Sequence, residues 1–291
     1  MENSVETLAI EPRRTADTTN RSRPRIVAPY SSRGMAYQTG TAHGSTNPCF
    51  DVSDDALHAA QSLLGASPAN LPRPLVVLAG WRSPPMPDGG VLARIGPMIP
   101  GARETLSLTY ASLWTIQSAA RRVVARVQER FPNSGTSDTT EVDVVAISMG
   151  GLVARLAASG SFAKAQRRLR IARLFTLATP HRGAKLASFV RPDPAAAAMR
   201  PGSDFLRSLD DELTRSSFEL TCYAQLRDWW VGARNTSPPG RVPIWCEPRD
   251  AFGRWLSHFA INFNPRVLTD VALRLRGMTP LSREGAEPPT D

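Results

Sequence analysis

Lysine is almost missing from this chain of 291 residues: only Lys164 and Lys185 stand beside 33 arginines. So one-sided a choice, spread along the whole sequence, reads as codon usage and not as a binding patch. The formal charge of +9 therefore points to no nucleic-acid partner. Even the densest cluster, KAQRRLRIAR at 164–173, sets Leu169 and Ile171 between its charges and reads as a solvated helix end or a loop before a strand. Cysteine is scarce too. Cys49, Cys222 and Cys246 are odd in number and far apart, which excludes a disulfide framework and a metal-ligand pair and makes a reducing compartment the default. No run reaches 18 apolar residues, so no spanning helix is expected, and contact with a membrane would be a transient one at its surface. Residues 1–38 contain no apolar leader core, and the pair Arg13, Arg14 runs straight into the polar TADTTNRSRP. A cytoplasmic protein is the expectation. Both G-x-G-x-x-G and G-x-x-x-x-G-K-[ST] are absent, which argues against a nucleotide site.

What is present is an alternation of short apolar runs and amphipathic segments. The length suits one α/β domain with tails: 1–50 as a disordered or loosely packed tail with RIVAPY as a candidate edge strand, 51–278 as the domain, and 279–291 as a second tail. In 53–67 a capping Ser53 and two aspartates open a short amphipathic helix expected to end at Gly65. Strands are expected at 75–79, 104–112, 142–147, 171–178 and 219–226, followed by one last strand signal. A short helix is expected at 90–95, and a longer one over 114–130 carries Arg121, Arg122 and Arg126 on its polar face. Asn264 caps the final helix, Pro265 sits in its first turn and Gly277 stops it. Residues 187–217 read as a small lid-like insertion above the strand ends. The alternation predicts the α/β class: a mostly parallel, doubly wound sheet with helices on both faces.

The most informative stretch is EVDVVAISMGGLVAR, 141–155. A β-branched apolar run stops at Ser148, and a helix of small residues begins directly after it. Only a sharp bend joins two such elements, and a serine at its apex has its hydroxyl pushed out above the sheet beside the new helix N-terminus. Residues two places either side of the serine must be small, and they are Ala146 and Gly150. The pattern is A-x-S-x-G, the signature of a nucleophile elbow with a methyl group where glycine is usual.

Serine needs a base, and the base needs an orienting carboxylate. Of four histidines, His43 lies in the tail, His58 on a surface helix, and His181 follows a core strand where local packing explains it. His258 remains, expected in a loop between the last strand signal and the final helix. Asp228 stands at a strand's carboxyl end, ahead of His258, with Glu247 and Asp250 as alternative acids. Asp193, Asp210 and Asp211, in the insertion, read as surface charges. The turn after strand 75–79 belongs beside Ser148, where its backbone donors can face an oxyanion. Trp81, Trp229, Trp230 and Trp255 lie near these loops and either line an acyl pocket or pack in the core.

AISMGGLVAR, LFTLATPHRGA and SDFLRSL together resemble the α/β-hydrolase lipases, in particular the branch similar to GPI inositol-deacylases and triacylglycerol lipases. The resemblance covers about residues 72–277. It implies an α/β-hydrolase fold and a serine hydrolase acting on carboxylic, lipid or acyl esters without metal or cofactor. Ser148 would be the nucleophile, Asp228 the acid in RDWWVG, His258 the base in SHFAI, and the N–H groups of Trp81 and Met149 the oxyanion hole. One departure is Ala79-Gly80 where such lipases commonly carry His-Gly. No phosphoinositide- or GPI-reading feature is recognisable. An acyltransferase with the same triad, or a binding protein on the same fold, are the alternatives.

Overall fold

The computed structural model describes residues 47–83, 90–110, 113–135, 137–163, 167–190, 192–247 and 256–289. The expectations for residues 1–46, including the RIVAPY strand, lie outside the described residues, as do Asp250 and Trp255.

In chain order the elements are α1 (Asp54–Ala66), β1 (Leu75–Leu78), α2 (Gly90–Ile95), β2 (Thr105–Leu108), α3 (Ile116–Arg130) and β3 (Val142–Ile147). Then follow α4 (Met149–Ala158), α5 (Gly160–Ala163), β4 (Ile171–Leu177), α6 (Pro194–Ala198) and α7 (Asp204–Leu213). The chain continues through β5 (Glu219–Gln225), β6 (Ile244–Cys246), α8 (Ser257–Ala260) and α9 (Pro265–Leu275). The sheet has six strands in the order β2-β1-β3-β4-β5-β6, and every pairing is parallel.

Period-two side-chain alternation divides the core into two layers. From β1, Val76 and Leu78 join Val144, Ala146 and the inner faces of α3 and α4, while Leu75 and Val77 join Val145, Phe175 and the inner faces of α1, α2 and α9. Burial on both faces is why β1 and β3 are apolar almost throughout. Each fully buried Val or Leu is worth about 1.5–3 kcal/mol. The strands are therefore fixed in place, and the loops at their ends are aimed by a rigid frame.

Caps set the helix boundaries. Ser53 accepts from the Ala56 N–H, Thr115 from Ser118, and Asn264 from Arg266 and Val267. Of the strand expected over 104–112, Thr105–Leu108 is strand and Tyr110 is buried beyond it, while residues 111–112 lie outside the described residues. The segment expected as a C-terminal tail is anchored: Ser282 donates from N and from Oγ to the buried carboxylate of Asp270. Cys49 and Phe50 are likewise buried.

Candidate active site

β1 lies between β2 and β3, so the connections leaving β1 and β3 run in opposite directions and open a crevice at their carboxyl ends. The turns after these two strands face each other. A Cβ placed on Gly80 would come within 3.2 Å of the Ser148 Cβ.

Ser148 is the residue at the bend, with φ 50° and ψ −125°, a conformation that is strained for any residue with a side chain. Three hydrogen bonds hold it there. Its N–H donates to the Leu177 carbonyl at 2.8 Å, and its own carbonyl accepts from Thr179 Oγ1 at 2.8 Å and from the Gly151 N–H at 3.1 Å. Both glycines after it are required sterically: a Cβ on Gly150 would sit 2.6 Å from the Ala79 carbonyl oxygen, and one on Gly151 would enter the Thr179 side chain. Tyr110 closes this corner, donating from its hydroxyl to the Ala79 carbonyl at 2.5 Å. Burial pushes the Tyr110 phenol well up, so it remains a donor.

Asp228 is fully buried three residues past β5. Its Oδ1 accepts from the N–H groups of Trp230 at 3.0 Å and Val231 at 3.1 Å, which leaves Oδ2 to meet His258 Nδ1 at 2.8 Å. The tautomer that satisfies this carboxylate carries its proton on Nδ1 and leaves Nε2 as an acceptor. Trp230 stacks on the imidazole, with 5.3 Å between centroids and 7° between planes. His258 is not in a loop, as expected, but in the one-turn helix α8, whose backbone is anchored by Gln225 Nε2 donating to the Ser257 carbonyl at 2.8 Å.

Ser148 and His258 both line a pocket of about 60 Å³, walled by Trp81 and Trp230 and by Ala184, Leu186, Ala196 and Met199 from the connection that follows β4. Gly80, Trp81, Trp230 and Asn262 are shared with a larger cleft of about 750 Å³. Met149 opens α4, where first-turn N–H groups have no acceptor within the helix, while its side chain is buried in the core. Among the described residues no group of three or more His, Cys, Asp and Glu is disposed to hold a metal ion.

The family model described as PGAP1-like alpha/beta domain matches residues 109–189, from the end of β2 through the elbow to the loop past β4. Lipase BlEst2 of Bacillus licheniformis in its propeptide form superposes with a TM-score of 0.52 at 17% identity, over 76% of this chain and 54% of that one. This chain has the α/β-hydrolase fold. The mature form of the same lipase gives a TM-score of 0.41 at 18% identity over 55% of this chain and 68% of that one. Lipase B of Aspergillus fumigatus gives 0.42 at 17% identity, over 68% of this chain and 47% of that one. This chain thus spans about half the length of the propeptide form and of the fungal lipase. No curated protein is matched by the sequence.

On this α/β-hydrolase frame, Ser148, Trp81, Trp230 and His258 come together in one pocket. Trp229 does not join them: its side chain is exposed and lines neither cavity. Two expected surface charges are also placed differently. Asp193 is buried, caps α6 through the Ala196 N–H at 2.8 Å, and receives Arg82 Nε and Nη2 at 3.1 and 2.8 Å. Burial opposes its ionisation, but the Ala196 N–H and the Arg82 guanidinium outweigh this and hold its carboxyl below the usual range. Asp210 pairs with the buried guanidinium of Arg155 at 2.8 Å. Arg155 in turn donates to His181 Nδ1 at 2.9 Å, and His181 Nε2 lies 3.2 Å from Thr176 Oγ1, so that histidine is locked into packing. Exposure of His58 and of Asp211 agrees with their surface assignment.

Proposed function

We propose that this chain is a serine hydrolase that cleaves carboxylic esters through an acyl-enzyme, with Ser148 as nucleophile, His258 as base and Asp228 as the orienting acid. The observation that carries this reading is the 2.8 Å contact from the buried Asp228 to His258, which lines the same pocket as the strained Ser148. The ester class is supported by the fold shared with lipase BlEst2.

In this mechanism His258 Nε2 takes the proton from Ser148 Oγ as the oxygen attacks the carbonyl carbon. The developing oxyanion is met by the N–H groups of Trp81 and Met149, one from each of the two facing turns. Losing one such donor typically lowers the rate by about 10² to 10³. His258 then protonates the leaving alkoxide, the alcohol departs, and a water activated by the same imidazole releases the acid. Trp230, stacked on His258, holds the ring plane while the proton moves in both directions.

The test is fluorophosphonate labelling of wild type and Ser148→Ala, with hydrolysis of p-nitrophenyl esters from acetyl to palmitoyl. Labelling and turnover in the wild type, both lost in the variant, are expected. Folded wild-type protein that neither labels nor turns over any ester overturns the reading. Product analysis with an added alcohol separates hydrolysis from acyl transfer.

A further inference from the structure

Ser148 and Ala178 leave the sheet side by side. Ile147 pairs with Leu177 across β3 and β4, and the next residue on each strand has left-handed backbone, with φ 50° at Ser148 and φ 51° at Ala178. Neither is a glycine, so each bend is costly alone and has to be held from outside. At Ala178 the N–H donates to the Tyr223 carbonyl of β5 at 2.9 Å. At Ser148 the turn after β4 supplies a partner on each side. The Leu177 carbonyl takes the Ser148 N–H, and Thr179 Oγ1 donates to the Ser148 carbonyl, both at 2.8 Å. Planar peptides leave a residue only two backbone rotations, so pinning the peptide before Ser148 and the peptide after it fixes both.

The Thr179 bond reaches further than the nucleophile. The Ser148 carbonyl and the Met149 N–H belong to one peptide unit, and in a trans peptide the two point opposite ways. Holding the carbonyl toward Thr179 therefore sets where the Met149 N–H points. Thr179 is itself well fixed. It is fully buried, its carbonyl accepts from the His181 N–H at 2.8 Å, and its side chain fills the space beside Gly151. Without the hydroxyl, the peptide between residues 148 and 149 would be free to rotate toward ordinary helical geometry, and the Met149 N–H would swing with it.

We infer that Thr179 is a positioning residue of the ester hydrolysis: by holding the Ser148 carbonyl, it aims the Met149 N–H at the oxyanion. The inference rests on the hydrolase reading of Ser148 and deepens it. Thr179 acts only through its neighbours, since it lines neither the small pocket at Ser148 nor the larger cleft. Its contribution therefore belongs to the transition state and not to substrate binding.

The experiment compares Thr179→Val, which keeps the branched shape and removes the donor, with Thr179→Ser, which keeps the donor. In hydrolysis of p-nitrophenyl butyrate, Thr179→Val should lower kcat by about tenfold to hundredfold, less than the loss of a whole oxyanion donor, and leave KM unchanged. Thr179→Ser should recover most of that loss. Thr179→Ala takes the place of the valine variant if that one does not fold. Fluorophosphonate labelling separates aim from folding: Thr179→Val should label more slowly than wild type but to the same final extent. A smaller labelled fraction at an unchanged rate would assign Thr179 to folding alone and overturn the inference. So would a wild-type kcat in Thr179→Val, or a loss that Thr179→Ser does not restore, and each of these leaves the hydrolase reading intact. Wild-type protein that neither labels nor turns over overturns both, and that result is read before any variant is compared.

Discussion

Ser148 keeps its strained backbone because three neighbours hold it, and the residues that make this possible differ in how plainly they announce themselves. Ala146, Gly150 and Gly151 are legible in the sequence, since a sharp bend excludes side chains and their small size follows from that alone. The pairing of His258 with Asp228, 2.8 Å apart, follows an expectation drawn from elimination among four histidines and from the place of Asp228 at a strand end. Thr179 and Tyr110 are not legible, because their partners, the carbonyls of Ser148 and Ala79, come from other strands. On the proposed mechanism, Asp228→Asn should leave the circular dichroism spectrum unchanged and lower kcat by about 10³ to 10⁴, because a carboxamide no longer selects the tautomer that presents Nε2. A drop of less than tenfold would remove Asp228 from the triad. Gly151→Ala should lower the melting temperature by several degrees, since the new methyl group displaces the Thr179 side chain that fixes the elbow. A melting temperature equal to wild type would show that this corner is loosely packed.

Among the elements, the sheet was the legible part and its charged fittings were not. A run of apolar residues between turn signals marks β1, β3 and β4 whatever surrounds them. Asp143 within β3 interrupts that pattern, and its reason is visible only across strands: Arg173 from β4 grips both its carboxylate oxygens, and Arg73 reaches one of them at 3.0 Å. With the carboxylate almost fully buried, Asp143→Ala leaves two guanidinium groups facing an apolar methyl, and unfolding in urea should show a loss of about 3–5 kcal/mol. A similar argument joins the turn after β1 to α6. Arg82, itself at φ 49°, spans from the Trp81 turn to Asp193, and its guanidinium also lies 4.6 Å from the Trp114 ring centroid. The capping role of Asp193 did leave a trace, since an aspartate directly before a proline and four alanines is a helix start. The ion pair left none, because residue 82 and residue 193 meet only in the folded chain. On the proposed mechanism, Arg82→Gln should therefore lower kcat more than it raises KM, because the turn that would bring the Trp81 N–H to the oxyanion loses its tie to Asp193. Ester kinetics showing only a KM effect would confine Arg82 to shaping the pocket.

For the molecule as a whole, stability should depend on pH through His181. In the unfolded chain this histidine titrates near 6.5. In the fold, burial and then the neighbouring Arg155 hold its pKa well below that value. The unfolded state thus takes up the proton first. The contribution is complete above about pH 6.5 and is lost as pH falls, by up to about 1.4 kcal/mol per pH unit, until the folded-state pKa is reached. Urea unfolding from pH 7.5 to 5 should show this slope, reduced in His181→Gln; an unchanged slope would assign it to other groups. The packing of two segments remote in sequence has a different consequence. β6 is only three residues long and stands at the margin of the sheet. Asn47 Nδ2 donates to its Trp245 carbonyl, Ala286 N to the Pro243 carbonyl just before it, and Arg283 N to Cys49, so the two remote segments clasp each other across that margin. Exposed backbone at a sheet margin is a template for intermolecular pairing. Removing residues 279–291 would therefore uncover that margin, giving a protein that still folds its elbow but self-associates more, with light scattering rising before any activity is lost.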